Sequence, residues 1–168
     1  MFPRKISIID DWYAQGYTTN DIVEKLRCKD LVSHSTIREK FEWYLNRIRK
    51  REENGDIKIV KFIIEHYQNE KIFYDVGHPT NFVIKEICRQ ILEKLTMNFA
   101  LENNIFECMD GYEDLILTCV KEALHLAYGG EDAIKNGLHV CKMNQIMDLE
   151  EHVREYLFWQ YKEEGADV

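Results

Sequence analysis

The chain has 168 residues, 45% of them apolar and 12% aromatic, which excludes a disordered polypeptide and suits one compact domain. Its formal charge of −8 is uneven: residues 1–95 hold 17 basic and 15 acidic side chains, net +2, and residues 96–168 hold 5 and 15, net −10, so anionic ligands are expected in the first part. No apolar run reaches the roughly 18 residues of a membrane span, MFPRKISIIDDWYAQG runs into Asp10 and Asp11 and is no signal peptide, and five scattered cysteines without a C-x-x-C pair point to buried thiols in a reducing cytoplasm rather than zinc or disulfides.

Thr18 or Thr19 can cap a short helix through Leu26, with Ile22, Val23 and Leu26 facing inward. Ser35 can cap a longer helix through about Arg51, whose apolar set is Ile37, Phe41, Tyr44, Leu45 and Ile48. ENGD at 53–56 is a break, and Asp56 opens a third helix carrying Ile59, Val60, Ile63, Ile64 and Tyr67. KIFYDV (71–76) reads as a short strand. From Pro79 a helix carries the stripe Val83, Ile84, Ile87, Cys88, Ile91, Leu92 and Leu95. Residues 96–111 read as irregular, Tyr112 to Tyr128 as a helix ended by the glycine pair 129–130, and the next stretch as a short helix and a loop. Asp148 caps a last helix, Leu149 to about Glu163, with Val153, Tyr156, Leu157 and Tyr161 on one face. Trp12, Trp43 and Trp159 are expected as core or interface anchors. One candidate strand makes no sheet alone, so the chain is either nearly all helical or lends that strand to something outside it. We expect a mainly α domain over 1–168 with at most one or two short strands, and a sub-division at about residue 95 where the charge changes.

The turn after KIFYDV places Asp75, Gly77, His78, Pro79, Thr80 and Asn81 close together. Pro79 suits a first helical turn and pushes His78 into an extended conformation. A carboxylate three residues earlier can accept the imidazole N–H and leave the other ring nitrogen as a base. A local Asx turn followed by a helix start accounts for the same residues. In NRIRKRE, Arg47, Lys50 and Arg51 group on one side of a helix, and arginine forks match phosphate oxygens, although a solvated face paired with Glu52 and Glu53 is the plainer reading. The histidines show no metal-ligand spacing, and no metal is expected.

YDVGHPTNFVIKEICRQIL resembles the last conserved block of the SGNH/GDSL hydrolases, where a D-x-x-H-P turn supplies an aspartate and a histidine. GYTTNDIVEKL (16–26), RIRKREENGDIKIVKFIIEHYQNEKIFYDVGHPTN (47–81) and MDLEEHVREYLFWQY (147–161) more closely resemble the C-terminal part of the WcbI-type capsular polysaccharide biosynthesis proteins. The resemblance implies an SGNH-like relative acting in surface polysaccharide synthesis, acyltransferase-like or esterase-like chemistry on a saccharide, and a coenzyme A or acyl-coenzyme A ligand. Under it Asp75 and His78 would be the acid–base pair, with Arg47, Arg49, Arg51, Thr80 and Asn81 as ligand-binding residues. The family opens with a strand and a Gly-Asn-Cys-Gln turn, which this chain lacks. A nucleophile would then come from a companion chain or domain, and the isolated chain is expected to be inactive.

Two other readings stand beside this one. The first is a non-catalytic helical interaction module. The second is a helix-turn-helix, since YAQGYTTNDIVEKL and VSHSTIREKF could be its two helices. The connector RCKDLVSH is too long for the usual turn, and the weak basic surface disfavours nucleic acid.

Overall fold

The computed structural model describes residues 7–74, 78–97, 116–129, 140–142 and 145–161. Within them the chain is mainly helical. Its helices are α1 (Ser7–Ala14), α2 (Thr19–Arg27), α3 (His34–Glu52), α4 (Val60–His66), α5 (Asn81–Lys94), α6 (Thr118–Leu124) and α7 (Leu149–Tyr161). Between α6 and α7, β1 (Val140–Lys142) and β2 (Gln145–Met147) form a small antiparallel hairpin that pairs Val140 with Met147 and Lys142 with Gln145. Asp75, the irregular stretch expected after residue 97, the start of the helix expected from Tyr112 and the short helix expected after the glycine pair lie outside the described residues, as does the ring of Trp159.

α2 follows the sequence closely. Thr18 Oγ1 accepts the Asp21 N–H at 3.2 Å, and Asp21 Oδ2 accepts the Thr18 N–H at 2.9 Å, a reciprocal cap that satisfies two orphan donors. Asp148 and Glu151 repeat the device at the head of α7, at 2.8 and 3.0 Å. Ile22, Val23 and Leu26 are buried, as expected, against Leu149, Val153, Tyr156 and Leu157 of α7. α1, which the sequence reading passed over, completes this cluster with Ile9, and its Asp10 Oδ1 accepts the hydroxyls of Tyr156 at 2.9 Å and Tyr161 at 3.1 Å. α1 stops at Gly16, whose φ of +86° is open to glycine at little cost.

The second cluster joins Leu45 of α3, Val60 and Ile63 of α4, Ile72, and Val83 of α5. Ser33, two residues before the expected Ser35, caps α3 by accepting the Thr36 N–H at 3.2 Å. Tyr44 sits at the margin of the apolar stripe and is 50% exposed rather than inward. α4 begins at Val60 rather than near Asp56 because its cap is not local. The Glu52 carboxylate, at the end of α3, accepts the N–H groups of Ile59 and of Val60, the latter at 2.9 Å. Ile64, expected inward, faces solvent.

Residues 71–74 of KIFYDV form no sheet strand, and Asp75 and Val76 lie outside the described residues. Phe73 makes a single antiparallel bridge to Pro79, so the segment folds back on its own return. α5 then departs from expectation: Val83 is fully buried and Ile87 packs on the cluster, but Ile84, Ile91 and Leu95 are 40, 42 and 59% exposed. Seven apolar positions make a wider stripe than the small cluster can cover. The helix closes on Thr96 at φ +54°, where the Met97 N–H reaches the Leu92 carbonyl at 2.9 Å and the Thr96 N–H reaches that of Glu93 at 3.0 Å.

α6 packs along α3 and touches both clusters, because Leu117 at its head lies against the first. It ends at Leu124 with His125 left-handed, earlier than the glycine pair. Gly129 serves a close approach instead: a Cβ there would sit 2.7 Å from Ile116. Packing thus crosses the change of charge at residue 95, since acidic α7 closes on α1 and α2.

Candidate functional site

The turn between Phe73 and Asn81 is held by main-chain bonds on both sides of His78. The Tyr74 N–H donates to the His78 carbonyl at 2.9 Å, and the Thr80 N–H to the Ile72 carbonyl at 2.9 Å. Thr80 is buried, and its hydroxyl donates to the carbonyls of Lys71 and Ile72 at 3.0 and 3.2 Å. That hydroxyl is committed to the turn, and Thr80 also stands as the N-cap residue of α5 with extended backbone. His78 itself is exposed. The residues that flank 75–77 are thus bonded to one another, and His78 stands three residues before Asn81 at the start of α5.

The three candidate arginines do not act together. Arg49 donates to Asn46 Oδ1 at 2.6 Å and lies 3.6 Å from Glu42. Arg47 stacks over Trp43, its guanidinium carbon 4.7 Å from the ring centroid. Arg47 and Arg51, one turn apart, share a flank, and Arg49 is about 200° from Arg47 around the helix. Leu45 is also about 200° from Arg47, and Leu45 shares its buried cluster with Val83 of α5. Arg47 therefore points away from Leu45, while Arg51, about 120° from Leu45, lies on the flank of the helix.

Sequence reasoning missed a cleft. α4 and α5 diverge, and with residues 56–58 they enclose an open cavity of about 780 Å³. Phe62 and His66 line it, their rings 4.5 Å apart, and behind them Phe82, which does not line it, lies 4.9 Å from Phe62 and 5.1 Å, edge-on, from His66. Its walls are paired charges. Arg89 grips Glu86 with two bonds of 2.7 Å and also holds Glu93; Lys94 binds Asp56 at 2.6 Å; Lys61 lies 3.7 Å from Glu65. The Gln90 amide makes two 2.8 Å bonds with the Lys58 peptide and ties α5 to the loop. The Arg89 hydrogen bond holds the Glu86 carboxyl below its ordinary range, with lesser help from Gln90 and the His66 side chain. The local Glu86–Arg89–Glu93 pairs were legible as i,i+3 and i,i+4 spacing. The cleft was not, because its other wall is some thirty residues away.

Elsewhere, Cys28 is exposed, Cys88 half-buried and Cys119 buried, all three as free thiols, with burial pushing the Cys119 thiol up. Among the described residues no group of three His, Cys, Asp or Glu side chains could hold a metal ion. No described helix is long and apolar enough to cross a membrane. The first turn of α3, the reading end in the helix-turn-helix alternative, lies against α6, with His34 Nε2 3.7 Å from Glu122.

Residues 6–100 match the family model described as polysaccharide biosynthesis enzyme WcbI. The chain belongs to the WcbI family. The match spans α1 to α5, so it holds the α3 arginines, the turn before α5 and the cleft in one family segment. No curated protein and no solved structure matches the chain. Membership of the WcbI family places the chain in polysaccharide biosynthesis.

Proposed function

We propose that this WcbI-family chain carries the acid–base histidine of an acyl-transfer or ester-cleaving reaction on a surface, capsular-type saccharide, with the nucleophile supplied by a companion outside these 168 residues. The supporting observation is that the His78 carbonyl and the Thr80 N–H are bonded back to Tyr74 and Ile72 while the His78 side chain is exposed. A general base needs that combination, since the ring must reach substrate from a fixed origin. In this reading Asp75 orients the imidazole, and His78 takes a proton from the attacking group and returns it to the leaving oxygen. The cleft beside α5 suits the saccharide, because its paired donors and acceptors beside the Phe62 and His66 rings match a hydroxyl-rich ring.

A coenzyme A-type acyl donor is part of the family's implication. Its phosphates need unpaired cations. The cleft's Lys61, Arg89 and Lys94 are paired with carboxylates, and Arg47 and Arg51 belong to α3, which does not line the cleft, so the described residues of the cleft do not fit its phosphates.

The test is made in the native host, where any companion is present. Replacing the gene by His78→Ala or Asp75→Asn is expected to change the acyl ester content of the surface polysaccharide, with O-acyl proton signals in its NMR spectrum lost if the reaction is acyl transfer and increased if it is ester cleavage. Unchanged acylation in His78→Ala would overturn the catalytic reading. A second reading, a non-catalytic interaction module, is favoured by exposed Ile84, Ile91 and Leu95 on α5. It expects a change of acylation in Ile91→Asp with Leu95→Asp and none in His78→Ala.

A further inference from the structure

The solvent side of α3 is split by charge. Glu39, Glu42 and Glu53 lie on one flank, where Arg49 pairs with Glu42. Lys40, Trp43, Tyr44, Arg47, Lys50 and Arg51 fall on the other, following the 3.6-residue period. That second flank has no carboxylate, and among the described residues none of its four cations makes an ion pair. Trp43 and Tyr44 are each 50% exposed, Trp43 on the outer flank and Tyr44 at the margin of the apolar stripe. Their rings meet edge-on at 4.9 Å. Arg47 lies 4.7 Å and Lys40 6.0 Å from the Trp43 centroid, so cations are already arranged around a ring that a ligand can reach.

We propose that this flank of α3 is a docking platform for an anionic polysaccharide, one whose sugar residues carry carboxylates. An indole face receives the C–H side of a sugar ring, while arginine forks beside it take carboxylates in bidentate fashion. From Lys40 to Arg51 the platform runs about 16 Å, which suits an oligosaccharide stretch rather than one sugar. Its occupant is decided by charge. Cations that make no ion pair among the described residues attract an anion, and the acidic flank beside them repels a wide polyanion such as duplex DNA while letting a single narrow chain pass. A lipid surface would need aliphatic side chains to insert, and this flank has none. The inference rests on the polysaccharide role of the WcbI family and not on the chemistry proposed at His78, which lies on another side of the core. The platform would hold the polymer while a different part of it reacts.

Binding to the full chain is measured by tryptophan fluorescence and calorimetry with a galacturonic acid hexasaccharide. The comparison probes are maltohexaose, a short DNA duplex and vesicles containing phosphatidylglycerol. The expected result is saturable, salt-sensitive binding of the uronate hexasaccharide, weakened about tenfold or more by Trp43→Ala and by Arg47→Gln with Arg51→Gln. Maltohexaose should bind at least about tenfold more weakly. These side chains are exposed, so the variants should keep the parent's circular dichroism. Failure of the hexasaccharide to bind, equal binding of maltohexaose, tighter binding of DNA or vesicles, or parent-like binding by the variants would each overturn the proposal. A change of acylation in His78→Ala with no hexasaccharide binding would reject the platform and keep the catalytic reading; the reverse pattern would do the opposite.

Discussion

The cluster of α1, α2 and α7 and the cluster of α3, α4 and α5 are both built from amphipathic helices, and α7 leaves Phe158 42% exposed where α5 leaves three large apolar side chains open. In the first, Ile9, Ile22, Val23, Leu26, Leu149, Val153, Tyr156 and Leu157 are all buried, both longer helices carry reciprocal caps, and Asp10 receives two tyrosine hydroxyls. In the second, α5 buries Val83 while three of its large apolar side chains remain 40% exposed or more, and its other face borders a charged cleft. The first region closes the chain on itself, and the second keeps surface available. The turn before α5, the cleft and the α3 flank, to which the proposed roles are assigned, all lie in the second.

The sharpest way to break this comparison is a truncation in each region. Leu157→Ala, at a fully buried site, should cost about 2–5 kcal/mol in urea unfolding. Ile91→Ala, at a site 42% exposed, should cost less than about 1 kcal/mol. Similar costs would show that α5 is covered as well as α7.

A smaller effect is expected where the two helices of the second region are joined. Glu52 caps α4 from the end of α3, and Glu52→Ala should cost about 0.5–2 kcal/mol, with Glu52→Gln recovering part through its remaining acceptor. An equal loss in both variants would mean that the carboxylate's charge, rather than its acceptor, holds the junction.

Thr96→Gly should act in the opposite direction. Thr96 is a β-branched residue at φ +54°, and relief of that strain outweighs glycine's entropy, so stability should rise by up to about 1 kcal/mol. A loss would show that the Thr96 side chain contributes more than its backbone costs.

The smallest effect is a pH dependence. Glu86 has a folded pKa below its ordinary value of 4.5 because of Arg89, so its contribution is present above that value and fades as pH falls through the lower folded value. Glu86→Gln should therefore flatten part of the loss of stability between about pH 4.5 and more acidic conditions. An identical acid profile in parent and variant would mean that the Glu86–Arg89 pair contributes nothing to folding.

Local signals made some of this readable in advance. The Thr18–Asp21 and Asp148–Glu151 caps are three-residue patterns, and Ile22, Val23 and Leu26 are one turn apart, so α2 and the head of α7 followed from neighbours in the chain. The start of α5 just after Pro79 was legible for the same reason, since Pro79 restricts its own neighbourhood whatever surrounds it. The sequence by itself thus determined a mainly helical chain and the start of that helix. The tertiary structure alone decided what depends on distant partners. α1 gains its place because Asp10 meets Tyr156 and Tyr161 of α7. α4 starts late because its cap belongs to α3, and the α5 stripe stays open because the second cluster is too small to cover it. The cleft exists because Gln90 and Lys94 tie α5 to residues 56–58. Periodicity names the apolar face of a helix, but only the supply of matching surface elsewhere in the fold settles whether that face is buried.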